Sequence, residues 1–292
     1  MQIEVQVVNA FIDGSAGGNP AGVVVDANAL STAQKLKVAQ QVGLSETAFV
    51  SASDTATIKL EFFTPTRQIA HCGHATVATF ALLWQLGRVG EGRLSKETID
   101  GNRDILVDGD MAFMEQRAPK YTPIAATSEL GARALASLGL APTELLPGVD
   151  PYVVNTGNSF LIVALPDERA VADLRPHPEL VAALSEELDL IGYYVFSTAT
   201  KVQGRHAGAR MFAPRFGIPE EAGTGMAAGP LACFLHDHLG VADQEILIEQ
   251  GWLMQPASPS VIKVDLELAA GKIARLMAGG TARAVSSTRA EV

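Results

Sequence analysis

Apolar residues recur along the chain in short alternating or β-branched runs. A period of two residues is typical of a β-strand that buries one face. The predicted strands are residues 3–8, 46–50, 58–63, 105–113, 193–197, 245–249 and 261–266. Because these runs occur in both halves of the chain, we expect a sheet in each half.

Three stretches have the features of helices. Ser31 is a favourable N-cap for a helix over Thr32–Val42, and Gly43 suits the left-handed conformation that ends a helix. Two further stretches begin near Gly73 and Thr224 and are apolar on every side. A helix without a polar face is usually enclosed by its own domain. Each half is therefore predicted to hold one central helix.

The pattern of the first half returns in the second half. Val-Asn, then Gly-Asn and an apolar strand, occur within residues 8–26 and again within residues 154–166. A Phe-X-Pro motif at residues 63–65 and 212–214 precedes the glycines that open each apolar helix. Duplication is the simplest explanation. We predict an α+β fold of two similar domains, each a strongly curved sheet or barrel around a central helix.

A change in composition marks the predicted domain boundary. Residues 118–123 contain two prolines and polar residues that interrupt the strand pattern, so we interpret them as a linker. The predicted domains are residues 1–118 and 119–292, with a C-terminal segment that is free to return to the first domain.

Charge and composition exclude several partners. The 292-residue chain is 48% apolar and has a formal net charge of -10. Nucleic-acid binding needs clustered Lys and Arg, so none is expected. The uncharged stretches 71–87 and 222–236 are shorter than the roughly 20 apolar residues of a membrane span. Two cysteines, Cys72 and Cys233, cannot build a disulfide framework, and residues 1–11 lack signal-peptide features, so a cytoplasmic location is expected.

Both apolar helices begin with small residues, at 72–76 and at 223–225. The first turn of a helix has unpaired N–H groups and a partial positive charge, so it can bind a carboxylate without Lys or Arg. Alternatively, the glycines only let the helices enter a tight core. The matching places in both halves favour an anion site in which the two helix starts face one cleft.

Individual residues near these helix starts have open interpretations. His74 is either a proton donor or a histidine that caps the buried helix. Cys72 precedes the helix, where the helix dipole favours the thiolate, although a lone buried cysteine is usually inert. The local sequence of Glu46 indicates an exposed side chain. No metal-ligand spacing and no phosphate-binding or dinucleotide-binding loop is present, so neither a metal nor a cofactor is expected.

Six short motifs together resemble the phenazine-biosynthesis isomerase-like family. They are GNPAGVV at 18–24, LSETAFV at 44–50, FTP at 63–65, CGHAT at 72–76, RMFAP at 210–214 and QG at 250–251. Their order and spacing match the family over nearly the whole chain. The resemblance implies the fold of diaminopimelate epimerase and proline racemase, with two domains related by pseudo-two-fold symmetry. It also implies a cofactor-independent enzyme and a homodimer.

The resemblance implies roles for particular residues. The glutamate of the family's SETAFV motif is its general acid/base and corresponds to Glu46. The histidine of the GHAT motif lines the site and corresponds to His74. A second acidic catalytic position corresponds to Glu221. The implied substrate-binding residues are Asn19, Cys72, Gly73, Gly223, Thr224, Gly225 and Met226.

The second motif departs from the family pattern. Residues 220–231 read EEAGTGMAAGPL, where the family has a sequence close to EDPATGSAAGPL. Glu221 replaces an aspartate, Ala222 a proline and Met226 a serine. Loss of the serine hydroxyl removes a hydrogen bond to the substrate, so we expect a substrate other than the best-known one of the family.

From these residues we expect acid/base proton transfer on a small carboxylate-bearing metabolite, with Glu46 as the base. One alternative is an epimerase, racemase or dehydratase of an amino or hydroxy acid, with Cys72 as one base and Glu46 or Glu221 as the other. A two-thiol racemase is disfavoured, because Ala222 stands where its second cysteine would be. The other alternative is a small-molecule-binding or protein-binding module that keeps the fold without catalysis.

Overall fold

The computed structural model describes residues 1–292. Their contacts divide the chain into two compact units. Unit 1 comprises Met1–Glu115 and Gly279–Val292, and unit 2 comprises Gln116–Ala278. No helix combines enough length with enough apolar character to cross a membrane. The division into two independent domains, residues 1–118 and 119–292, stays a prediction.

Strands outnumber helices along the chain. The strands are β1 Gln2–Ala10, β2 Asn19–Val24, β3 Thr47–Ser51, β4 Ile58–Phe63, β5 Gln68–Ile69, β6 Gly92–Thr98, β7 Gly101–Asp108, β8 Met111–Arg117, β9 Lys120–Pro123, β10 Tyr152–Asn155, β11 Ser159–Ala164, β12 Gly192–Ser197, β13 Ala207–Ala213, β14 Ile218–Glu221, β15 Glu245–Gln250, β16 Ser260–Ala269 and β17 Lys272–Glu291. The helices are α1 Thr32–Val42, α2 Gly73–Gln85, α3 Glu129–Ser137, α4 Glu168–Ala172, α5 Pro178–Glu187 and α6 Gly225–Leu239. This mixture confirms the predicted α+β class.

The strands of unit 1 form a closed ring. In order around the ring, β1, β2, β3, β4, β6, β7, β8 and β17 each pair with the next, and β17 pairs with β1. Two of these pairs, β2–β3 and β4–β6, are parallel. Parallel neighbours need a crossover connection, and here the two crossovers contain α1 and α2.

Helix α1 begins and ends where the sequence predicts. The Ser31 hydroxyl accepts a hydrogen bond from the Gln34 N–H, and the Gln34 side chain accepts one from the Ser31 N–H. This reciprocal capping box satisfies two unpaired donors of the first turn. Gly43 has a φ of 68° and ends the helix. The chain then leads directly into the segment that carries Glu46.

Helix α2 lies inside unit 1. Every residue from Gly73 to Leu83 is buried, and the helix contacts β1, β2, β3 and β7. Because these strands come from different parts of the ring, the helix is enclosed rather than laid on one face of a sheet. The predicted central helix is confirmed, and its first turn lies within the unit.

Unit 2 repeats the topology of unit 1. The pairs β10–β11, β12–β13 and β15–β16 are antiparallel, whereas β11–β12 and β13–β15 are parallel. The pairs β1–β2, β2–β3, β3–β4, β4–β6 and β6–β7 of unit 1 follow the same order of directions. Helix α6 contacts β10, β11, β15 and β16 and is buried from Gly225 to Leu235 except at Met226. Duplication of one α+β topology is therefore confirmed.

Two local predictions need correction. Residues 105–113 are predicted as one strand, but β7 ends at Asp108 and β8 begins at Met111. Gly109 between them has a φ of 57°, a left-handed conformation that suits a tight hairpin turn. Residues 118–123 are predicted as an irregular linker, but they include β9, which pairs with β10 in unit 2. Of the two prolines that suggested a linker, Pro119 precedes this strand and Pro123 is its last residue.

The closure of the ring in unit 1 depends on Gly279 in β17. A Cβ at this position would lie 2.1 Å from the carbonyl oxygen of Ala112 and 2.7 Å from the Cα of Phe113. Both are backbone atoms of β8, so they cannot move aside as the end of a side chain can. The strands β8 and β17 therefore approach more closely here than any side chain allows.

We expect Gly279→Ala to destabilise the protein by about 1–3 kcal/mol, the usual range for an overpacked core position. Gly90→Ala is the matched control, because Gly90 is exposed and an added Cβ there meets nothing within 4 Å. Urea unfolding of both variants and the wild type measures the difference. Equal stability of Gly279→Ala and the wild type would contradict the claim that β8 and β17 approach too closely here for any side chain.

Candidate active site

Glu46 is held at the start of β3 by the backbone of β2. Its carbonyl oxygen accepts a 3.0 Å hydrogen bond from the N–H of Gly22, at the edge of the parallel pair β2–β3. The residue is 6% exposed. The exposed side chain expected from the local sequence is therefore wrong, because pairing with distant strands draws this position inside. A carboxylate is costly to bury, so its neighbours decide what it can do.

His74 faces Glu46 from the first turn of α2. The His74 Nε2 lies 3.3 Å from the Glu46 Oε2, and both side chains are buried. The Oε2 makes no hydrogen bond within the protein despite this proximity. Glu46 therefore keeps an oxygen that can accept a proton from another molecule.

Cys72 completes a row of three polar side chains. Its Sγ lies 3.6 Å from the His74 Nδ1, so the imidazole ring stands between the thiol and the carboxylate of Glu46. Burial raises the pKa of the Cys72 thiol, with His74 opposing the shift and Glu46 adding to it. Desolvation therefore opposes the thiolate that the helix start is expected to favour.

The same three residues are close enough to hold a metal ion, since one donor atom from each lies within 4.8 Å of the others. Their short contacts, however, use opposite nitrogens of the His74 ring. A single ion binds only one ring nitrogen, so it could not preserve both contacts. The row is better suited to holding a proton than a metal, and the absence of a metal stays a prediction.

Two further predicted binding residues, Asn19 and Gly73, also belong to unit 1. Asn19 begins β2, pairs with Ala10 of β1 and is buried. Gly18 before it has a φ of 88°, and a Cβ there would lie 2.8 Å from the Ala10 carbonyl oxygen, so only glycine permits this turn. Gly73 is the first residue of α2, where helix N–H groups have no partner within the helix. Contact of Asn19 and Gly73 with a substrate stays a prediction.

In unit 2, Glu221 ends β14, just before α6. The Thr224 hydroxyl donates a hydrogen bond to the Glu221 carboxylate. Gln250 donates from Nε2 to the Glu221 carbonyl oxygen at 2.7 Å, and its Oε1 accepts from the Thr224 N–H at 3.0 Å. The Tyr194 hydroxyl donates to the same Oε1 at 2.8 Å. These bonds fix Glu221 relative to the first turn of α6.

The neighbouring Glu220 serves a different purpose. Both of its carboxylate oxygens accept 2.8 Å hydrogen bonds from Arg210, in a bidentate pair between β14 and β13. Such paired hydrogen bonds are strong and directional, so this glutamate is a structural partner of Arg210. Glu221 is the acidic residue of this pair that is oriented at the helix start.

The start of α6 is built from small residues. Gly223, Thr224 and Gly225 are buried, and Met226 is partly exposed. The Asn158 amide nitrogen lies 3.5 Å from the Met226 sulfur. Because a thioether is a weak acceptor, the side chain at this position contributes far less hydrogen bonding than a serine would.

The structure brings Glu46, Cys72 and His74 together in unit 1, and it brings Glu221 and Thr224 together in unit 2. The expectation of one common cleft stays a prediction. Sequence reasoning missed Gln250 as a residue that orients Glu221, although it lies in the recognised QG motif. Tyr194 gives no such signal, because a tyrosine in an apolar strand is typical of a core.

Two like units, each with a sheet around an enclosed helix, define the epimerase-like α+β class predicted from the sequence. Comparison with known families makes the assignment more specific. The chain belongs to the PhzC-PhzF family of phenazine biosynthesis-like proteins, whose pattern matches residues 8–288. The family resemblance seen in the motifs is thus confirmed.

Individual relatives agree with this assignment. The uncharacterized isomerase YddE of Escherichia coli O157:H7 is 32% identical over 242 residues, covering 82% of this chain and 80% of the relative. The trans-2,3-dihydro-3-hydroxyanthranilate isomerase of Pseudomonas aeruginosa is 30% identical over 291 residues, covering 97% and 98%. A crystal structure of a PhzF-family phenazine biosynthesis protein from Bacillus anthracis matches with a TM-score of 0.88 and 26% identity, covering 100% of both chains. The protein is an enzyme of the isomerase class, while a homodimer and a cytoplasmic location stay predictions.

The thiols provide a test of the site's electrostatics. Both cysteines are free and buried, and burial also raises the pKa of Cys233. A raised pKa keeps a thiol protonated and slow to react at neutral pH. We expect neither thiol to react rapidly with an aromatic disulfide reagent in the native protein, and both to react after unfolding in guanidinium. A fast native reaction that disappears in Cys72→Ser would contradict this and favour the epimerase alternative.

Proposed function

We propose that the protein catalyses a proton transfer between two carbons of a small carboxylate-bearing metabolite, with Glu46 as the acid/base. The observation that carries this proposal is the buried Glu46 carboxylate, which lies beside the imidazole of His74 at the start of α2. The proposal needs no oxidant or reductant, because it moves a proton and a double bond within one molecule.

The proposed reaction has two steps. The Glu46 carboxylate removes a proton from a carbon next to a double bond, so a C–H bond breaks and an O–H bond forms. The electron pair released from the C–H bond shifts along the conjugated system. The protonated Glu46 then donates its proton to the carbon two positions away. Glu46 ends in its original state, and the substrate has become its isomer.

Burial of Glu46 supports such a transfer. An enclosed site keeps bulk water away from the reactive intermediate, which prevents side reactions. His74 is proposed to orient the carboxylate, because its ring is held between the Cys72 sulfur on one side and the Glu46 oxygen on the other. Cys72 acts in this scheme as a neutral neighbour of the ring and carries no proton to the substrate.

The substrate class follows from the start of α2. Its first-turn N–H groups and the positive end of the helix dipole favour an anion, and a substrate carboxylate would supply one. The name of the Pseudomonas aeruginosa relative makes trans-2,3-dihydro-3-hydroxyanthranilate the first probe. Met226 stands where the family motif has a serine, so we infer that the physiological substrate differs from this probe near α6.

Thiol-based epimerisation is the weaker candidate. It would require the Cys72 thiolate as a base, yet burial raises the pKa of this thiol. A second thiol base would have to lie near the start of α6, but Cys233 lies deep in that helix and is fully buried. A binding module without catalysis is the remaining alternative, and it predicts that no probe exchanges a proton.

The test is deuterium uptake in heavy water, followed by mass spectrometry. The probes are trans-2,3-dihydro-3-hydroxyanthranilate, proline, 4-hydroxyproline and a set of unsaturated carboxylic acids. Glu46→Gln keeps the shape of the side chain but cannot accept a proton, so uptake should fall by a factor of about 10² to 10⁴. Glu91→Gln is the control, because Glu91 is exposed. Full uptake by Glu46→Gln on an accepted probe would eliminate Glu46 as the base.

Glu221 is proposed as a second acidic residue that assists turnover, and its neighbour provides a matched control. We expect Glu221→Gln to lower turnover by about 10-fold or more, and Glu221→Asp, which restores the family residue, to retain most of it. Glu220→Gln breaks the bidentate pair with Arg210, so it should lower stability by about 1–3 kcal/mol with little effect on turnover. Steady-state kinetics and urea unfolding separate the two effects. Unchanged turnover in Glu221→Gln would remove this role.

A further inference from the structure

Lys96 lies in the core of unit 1 without an acidic partner. It belongs to β6, its relative exposure is 0%, and it forms no salt bridge. Lysine is almost never fully buried unless it is paired with an anion. Met114 and the ring of Phe62 supply its apolar surroundings, with the Phe62 centroid 5.0 Å from Nζ.

Besides a weak 3.9 Å contact with the Met114 sulfur, the amine makes two hydrogen-bonding contacts at the start of α2. Its Nζ donates a 2.6 Å hydrogen bond to the Thr76 Oγ1 and lies 3.2 Å from the His71 Nδ1. Burial lowers the pKa of His71 well below its usual value, with the charges of Lys96 and Arg103 adding to the shift. A neutral His71 can therefore accept a hydrogen bond from the lysine. The Lys96 side chain thus contacts both His71, which precedes Cys72, and Thr76, which lies in the first turn after Cys72.

Thr76 extends this contact to the candidate active site. Its hydroxyl accepts from Lys96 and donates a 2.6 Å hydrogen bond to the carbonyl oxygen of Cys72. The side chain of Cys72 in turn touches the His74 ring, whose far nitrogen faces Glu46. A continuous series of contacts therefore connects Lys96 to the proposed acid/base.

Stability alone does not account for a lysine at this position. Burial lowers the pKa of Lys96 to about 7, with Cys72 opposing the shift and Arg103 adding to it. Removing an amine from water without a carboxylate partner is costly, and an apolar side chain of similar length would avoid that cost. The amine must then provide something that an apolar residue cannot, namely its contacts with His71 and Thr76.

We propose that Lys96 is a positioning residue, which holds the first turn of α2 so that the His74 ring stays aligned with Glu46. This inference rests on the proposed function of Glu46 only for its effect on turnover. The alignment of His74 can be measured without a substrate.

The chain offers a matched control within the same helix. Thr79 donates a 2.6 Å hydrogen bond from Oγ1 to the carbonyl oxygen of Ala75, as Thr76 does to Cys72. Both threonines are fully buried. Only Thr76 also accepts a hydrogen bond from Lys96. Replacing either threonine by valine removes the same kind of hydroxyl. Only Thr76→Val, however, breaks the series of contacts that connects Lys96 to Glu46.

The experiment compares Lys96→Met, Thr76→Val and Thr79→Val with the wild type. Nitrogen-15 NMR of the His74 imidazole in the substrate-free protein reports alignment, thermal unfolding reports stability, and deuterium uptake reports kcat and KM. We expect Lys96→Met to keep or raise the unfolding temperature, to shift the His74 signals, and to lower kcat about 10- to 100-fold with KM nearly unchanged, as a misplaced catalytic group does. Thr76→Val should act in the same direction, and Thr79→Val should match the wild type in the His74 signals and kcat.

Unchanged His74 signals in Lys96→Met would overturn the proposal, and so would equal effects of Thr76→Val and Thr79→Val, which would indicate a general packing role. If Lys96→Met does not fold, the comparison of the two threonine variants decides. If the wild type exchanges no probe, the proposed function fails, whereas the NMR comparison still accepts or rejects the positioning role.

Discussion

Full enclosure of a helix start is the constraint on which the rest of unit 1 depends. A helix start that is open to solvent is held by few protein groups, whereas the start of α2 lies within a ring of strands. Side chains therefore fix its position. The hydroxyls of Thr76 and Thr79 donate to helix carbonyl oxygens, and Lys96 donates from β6 to Thr76. These donors leave the N–H groups of the first turn to an anion. The same enclosure places the Glu46 carboxylate beside the His74 imidazole in a region of low water access, where proton transfer is easiest to control.

The two units meet this constraint with different chemistry. In unit 2 the start of α6 is held by neutral amides. Gln250 bonds to Thr224 and Glu221, and Gln116 donates a 2.9 Å hydrogen bond to the carbonyl oxygen of Gly225. An amide offers both a donor and an acceptor without a charge, so it is cheap to bury once it is fully paired. A duplicated topology has thus kept the backbone pattern, while the polar groups that hold each helix start have diverged.

How much of this could be predicted depends on the range of the interactions. Helix α1 follows from neighbouring residues alone, because Ser31, Gln34 and Gly43 encode both of its ends locally. The turn at Gly109 was also encoded locally, by an Asp-Gly pair, but the apolar residues on either side concealed it. The burial of Glu46 arises from pairing with β2 and β4, which no short window contains, and only the family resemblance pointed to its role. Lys96 offers no signal in the sequence, because an alternating strand with a lysine is typical of a solvent-facing position.

The path of β17 has a consequence for the order of synthesis. This strand pairs with both β1 and β8, yet it follows all other strands along the chain. While the chain emerges from the ribosome, the strands of unit 2 are therefore made before the ring of unit 1 can close. Through that interval β1 and β8 each present an unpaired edge, and such edges readily recruit strands of other molecules. The enzyme's yield in the cell should consequently depend on translation speed and on chaperones that shield nascent β-sheets, rather than on equilibrium stability alone.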